Sequence, residues 1–141
     1  MLTEIDYCDY DTCVALKELG YNEKSNWWFS KFLNEDSGQM ELVHICDNPA
    51  HLNYDSWGIV PKDFVIRPSL YEAQKWLREE KCIDIQIMIS DYNLRWYYVE
   101  IYGNGFYKTL KNGYAIKNFI TYEEALLEGI KEAVKILKEE E

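Results

Sequence analysis

Between Ser69 and Ser90 the spacing of apolar residues changes period once. Leu70, Ala73, Trp76 and Leu77 recur at three- and four-residue intervals and leave Glu72, Lys75, Glu79 and Glu80 to solvent, which predicts an amphipathic helix. Ser69 with Glu72 three residues later is a capping box: the hydroxyl accepts from the backbone N–H of Glu72, and the carboxylate reaches back to the N–H of Ser69. Pro68 bars an earlier start, so the helix should begin at Leu70. After Lys81 and Cys82 the period falls to two. Ile83, Ile85, Ile87 and Ile89 then point to one side, with Asp84, Gln86, Met88 and Ser90 on the other, the pattern of a strand with one face in a core.

The remaining segments read around that centre. Residues 7–20 predict a short helix capped by Asp9 or Asp11, with Thr12, Ala15, Leu16 and Leu19 inward and Gly20 ending it in a left-handed conformation. Trp27, Trp28 and Phe29 favour a strand, residues 34–38 a turn, and residues 40–46 a second strand. Residues 47–66 hold Pro49, Gly58 and Pro61 among scattered aromatics and are the least regular stretch. Residues 95–102 predict another strand, and Asn104-Gly105, repeated as Asn112-Gly113, is the dipeptide favoured by type I′ hairpins. Thr121 with Glu124 predicts a second capping box and Ile120 with Ala125 a hydrophobic staple. The closing helix runs to about Lys138, with Tyr122, Leu126, Ile130, Ala133 and Leu137 on its buried side. The expected fold is a single α+β domain over residues 1–141, with about three helices packed on an antiparallel β-sheet in the order α-β-β-α-β-β-β-α.

Composition and charge narrow the function classes. At 141 residues, 48% hydrophobic and 16% aromatic, the chain has enough apolar surface to fold around a core. It has no apolar run long enough to span a membrane and no basic-then-apolar leader, so a cytoplasmic protein with no membrane partner is expected. The net charge of −10 is concentrated in residues 1–66, which carry 12 acids against 4 bases, while residues 67–141 carry 13 against 11. Affinity for nucleic acid comes mainly from Lys and Arg displacing counterions, so a nucleic-acid partner is disfavoured. Cys8, Cys13, Cys46 and Cys82 are expected as thiols.

The run YEAQKWLREEKCIDIQI brings in a resemblance. With Tyr7-Cys8, Leu16 to Tyr21, Pro68 to Leu70, Lys75 to Glu79, Ile83 to Ile85 and Tyr122 to Ala125, the chain resembles a family of short uncharacterised proteins common in gut Bacteroidales bacteria and their prophages. The resemblance spans nearly the whole chain. It implies a mobile-element gene in an anaerobe's cytoplasm and carries no activity, ligand or catalytic residue with it.

Candidate chemistry is sparse. Cys8-x4-Cys13 and Cys46-x4-His51 would supply a Cys3His metal site, but neither has the two-residue spacing of a zinc knuckle, and buried structural thiols are the better account. A Cys46/His51 pair is the one conceivable nucleophile and base. No P-loop, Gly-x-Ser-x-Gly, dinucleotide fingerprint or His-Glu-x-x-His occurs. Neither enzyme nor cofactor is therefore expected. In the strand at 95–102, Trp96, Tyr98, Glu100 and Tyr102 share one face, opposite Tyr97, Val99 and Ile101. If helices cover only one face, the other exposes a Trp/Tyr surface suited to a partner, although both residue types also favour strands for packing reasons alone. If the protein is a binding module, Tyr54, Trp57 and Phe64 in the irregular stretch should be partly exposed and line a groove with Trp96 or Tyr98; if the stretch only packs on the body, all three should be buried and no groove should exist.

The leading expectation is a non-enzymatic protein-interaction module docking a protein partner or its own copy. One alternative is an antitoxin-like or regulatory protein, because the strand-strand-helix end resembles HicB-type antitoxins, although Tyr122-Glu123-Glu124 is acidic where RNA-binding versions need bases and the HicB Pro-Gly-Cys signature is missing. Another is an acidic DNA-mimic inhibitor, which needs carboxylates spaced like phosphates along one face.

Overall fold

The structure, a computed structural model, describes residues 2–23, 27–34, 39–46, 64–90, 93–110 and 119–140, of which 27, 28, 30–34, 39–46, 64, 90 and 93–95 are described by their backbone alone. After a single 3-10 turn at Glu4–Asp6 come α1 (Tyr10–Glu18), β1 (Trp27–Asn34), β2 (Gln39–Cys46) and β3 (Phe64–Ile66). They are followed by α2 (Leu70–Lys81), β4 (Asp84–Ser90), β5 (Asn93–Gly103), β6 (Phe106–Leu110) and α3 (Tyr122–Glu139). The fold is α+β, with antiparallel strands divided between two three-stranded sheets, ordered β2-β1-β3 and β4-β5-β6. The chain forms two compact units, residues 9–68 and residues 1–8 with 69–141.

In the unit of residues 9–68, Asp9 caps α1 by accepting from the Thr12 N–H at 2.9 Å. The helix thus starts at Tyr10 and not at 7, because Tyr7 is extended and bridges to Ser69 within the other unit. Gly20 ends the α1 turn at φ +102°, which only glycine adopts without strain. Trp27 pairs with Cys46 and Asn34 with Gln39 in the expected hairpin. The stretch at 47–66 ends in an element that sequence reading missed: Phe64–Ile66 is a strand on the free side of β1, pairing Val65 with Phe29. A three-residue strand is too short to show alternation, and pairing alone defines it. Leu16, Cys13, Phe29 and Val65 are buried here, and the Arg67 guanidinium stands 4.7 Å from the centroid of Phe29.

In the other unit, α2 and α3 pack against each other and on the β4-β5-β6 sheet. The Ser69 box is complete: its hydroxyl accepts from Glu72 N–H at 3.1 Å, and the Glu72 carboxylate accepts from Ser69 N–H at 2.9 Å. Leu70, Ala73, Trp76 and Leu77 are buried as the stripe requires. The helix closes through Cys82, which is left-handed at φ 57°, while Ile83 N–H donates to Leu77 C=O at 3.0 Å. Burial along the isoleucine run leading into and through β4 is graded. Ile83 and Ile85 are enclosed and Ile87 is half-buried, whereas Ile89 is 52% exposed, so the isoleucine face continues beyond the part of the sheet that forms the core.

Ile85, Val99 and Ile101 bury against α3, whose inner residues are Ala125, Leu126, Gly129, Ile130, Ala133 and Val134. Each fully enclosed aliphatic side chain contributes about 1.5–3 kcal/mol relative to exposure. Gly129 sets how closely α3 lies on the sheet, because a Cβ there would stand 2.7 Å from Ile85 Cγ2 and 2.9 Å from Val99 Cγ1. Three local expectations are corrected. Thr121 caps α3 by accepting from Glu124 N–H at 3.1 Å, but only this half of the box is made. Ile120, the staple position, is 72% exposed. At Asn104-Gly105 only Gly105 has positive φ (+87°), whereas a type I′ turn needs it at both central residues. No described helix is long and apolar enough to cross a membrane.

Candidate functional site

The period of two that organises β4, β5 and β6 also decides which side chains meet on the sheet face away from the helices. Pairing of Ile85 with Ile101 and of Ile87 with Val99 puts the enclosed residues on the α3 side. Alternation then assigns the opposite face in rows across the strands. Asp84, Tyr102 and Tyr107 form one row, Gln86, Glu100 and Thr109 the next, and Met88 with Tyr98 a third, with Trp96 beyond Tyr98. Lys108 falls on the helix face, where it is ion-paired to Glu132 of α3. Trp96 is 43%, Tyr102 39% and Tyr107 56% exposed, so this face presents its aromatic rings to solvent.

These side chains are held. Tyr102 Oη donates to one oxygen of Glu100 at 2.6 Å and Tyr107 Oη to the other at 3.0 Å, while Thr109 Oγ1 donates to Tyr107 Oη at 2.8 Å. The Tyr102 and Tyr107 ring centroids are 5.0 Å apart with planes tilted by 46°, a favourable aromatic separation. Gln86 Nε2 donates to Asp84 Oδ2 at 3.0 Å along the edge strand. The bond to Glu100, together with partial desolvation, pushes the Tyr102 hydroxyl up to about 12. What results is an oriented carboxylate between two phenol rings.

A second polar cluster lies where Glu4–Asp6 meets α2. Asp6 accepts from the Thr3 backbone N–H at 2.8 Å and from Tyr71 Oη at 2.9 Å. These bonds, Thr3 first, hold its carboxyl below the usual range, and burial with the Asp6 bond raises the Tyr71 hydroxyl. Its role is to fasten the amino-terminal turn to α2.

Of the residues singled out from sequence, Trp96 and Tyr98 lie together on the open face. Phe64 is in β3 by its backbone, paired with Ser30, and Tyr54 and Trp57 lie outside the described residues. The groove expected of them falls outside the described residues with them. Cys8 is buried with Sγ 4.0 Å from the Ser69 carbonyl, Cys13 is buried in α1, Cys46 is described by its backbone, and His51 lies outside. Among the described residues no three potential metal ligands cluster. Sequence reading missed Tyr107, Thr109, Gln86 and Met88 as members of the face. The alternation FYKTL after Asn104-Gly105 held the signal for the first two, but only register aligns Tyr107 with Tyr102. No family model, no curated protein and no solved structure matches the chain, so the reading of this face rests on its own chemistry.

Proposed function

We propose that the protein is a small, non-enzymatic interaction module of the cytoplasm, encoded on a mobile element, that docks a protein partner through the open face of the β4-β5-β6 sheet. The observation that carries this reading is the set of exposed Trp96, Tyr102 and Tyr107 on the face of the β4-β5-β6 sheet opposite α3. Tyrosine and tryptophan supply large contact area at small conformational cost and dominate interface hot spots. A photo-crosslinking residue placed at Trp96 or Tyr107, with Lys75 on the solvent side of α2 as control, tests it in the cells that express the protein. A discrete adduct from the face positions and none from Lys75 is the expected result. The same adducts from all three positions, or none from any, would overturn the proposal.

The HicB-like alternative draws on one observation, the succession of β5, β6 and α3. Against it stands the acidic start of α3 at Glu123 and Glu124. Retention of duplex RNA by the protein at physiological salt would favour this alternative over the docking module.

A further inference from the structure

Resting on the docking reading above, we infer that the partner presents a basic segment, and that the open face receives an arginine or lysine side chain with Glu100 as counter-charge and the Tyr102 and Tyr107 rings as its bed. Four observations lead there. Glu100 is oriented by two phenols, one on each oxygen, and a carboxylate has about four lone-pair positions, so its remaining acceptor capacity is free for an incoming donor. The two rings beside it lie 5.0 Å apart, and a cation seated on such rings is attracted by their quadrupoles. Among the described residues of this face the charged side chains are Asp84 and Glu100, while the nearby Lys108 is turned to Glu132 on the helix side. The unit that holds this face, residues 1–8 and 69–141, carries 15 acids against 10 bases, a balance that favours a basic partner over a second copy of the same face. Arginine suits the site better than lysine, because a planar guanidinium both stacks on rings and bonds a carboxylate in two places.

The test titrates the full chain with a blocked peptide alternating arginine and glycine, and with the same peptide carrying serine or glutamate for arginine. The readouts are NMR shifts of the Tyr102 and Tyr107 rings and of the Trp96 indole N–H at low and high salt. The arginine peptide is expected to move these signals, with weaker binding at high salt, while the serine and glutamate peptides leave them in place. Glu100→Gln should weaken the arginine peptide by about threefold to tenfold. Glu79→Gln, the same charge change on α2 away from the face, should leave affinity within about twofold, and unchanged signals outside the face show that each variant folds. Equal losses from the two variants would reduce the effect to net charge and overturn the inference. Equal binding of serine and arginine peptides would overturn it too, while leaving the docking module standing. If no peptide moves these signals the inference also fails, and the crosslinking experiment then decides the docking module by itself.

Discussion

A phenol hydrogen-bonded to a carboxylate keeps its proton to higher pH, because ionising it would set two negative charges side by side and break the bond. Tyr102 should therefore titrate near 12, above its ordinary 10.0, and Glu100→Gln should return it toward that value. A pH titration followed by ring NMR signals checks this, and an unshifted Tyr102 in the unaltered protein would mean that the Glu100 bond is not maintained in solution. The sign of the linkage follows. Since the folded value lies above the unfolded one, the bond's contribution to stability is whole below the ordinary tyrosine range and is lost as pH rises through about 12. Asp6 runs the other way: its carboxyl is held low by Thr3 and Tyr71, so its contribution is present above the ordinary carboxylate range and disappears as pH falls through the depressed value.

At the scale of elements, α2 and β4 hold the core of their unit through two different periodicities. Trp76 lies on the buried stripe of α2, with Lys81 Nζ 5.5 Å from its ring centroid. Trp76→Ala should destabilise the protein by about 3–5 kcal/mol in denaturant unfolding, the cost of an emptied aromatic site. In β4 the period of two makes adjacent positions unlike. Ile85→Asp should prevent folding, because it places an unpaired carboxylate among Val99, Ile101 and α3, whereas Gln86→Asp, on the exposed face, should be mild. Circular dichroism of the two variants decides this, and equal effects would contradict the register. The elements were legible to different depths. The Ser69 cap, the isoleucine alternation and the left-handed Gly20 are local chemistry, and they appear where the residues place them. The exposure of Ile89 and Ile120 was not legible, because burial depends on where a neighbouring element ends.

For the whole molecule, the acidic balance and the thiols make two separate points. A charge of −10 favours basic partners and solubility and says nothing of the fold. Cys8 and Cys13 are buried as packing residues, so the purified protein is expected to contain no stoichiometric zinc and to keep its Tm when a chelator is added. Elemental analysis with a thermal melt checks both. One equivalent of zinc would instead make ligands of Cys8, Cys13, Cys46 and His51.

What the sequence by itself determined was the type and near-boundaries of α1, α2, α3 and of strands β1, β2, β4 and β5, since capping, helical stripes and alternation act between residues a few positions apart. It also determined that Trp96, Tyr98, Glu100 and Tyr102 share a face, because the period of a strand is two. Tertiary structure alone decided the division of the strands into two sheets, the existence of β3, and the side of the β4-β5-β6 sheet that α3 covers. The meeting of Tyr107 with Tyr102 at Glu100 stands between the two: the two-residue turn at Asn104-Gly105 sets the β5-β6 register from local sequence, whereas the opening of this face follows from α3 covering the other, a long-range packing that no single segment encodes.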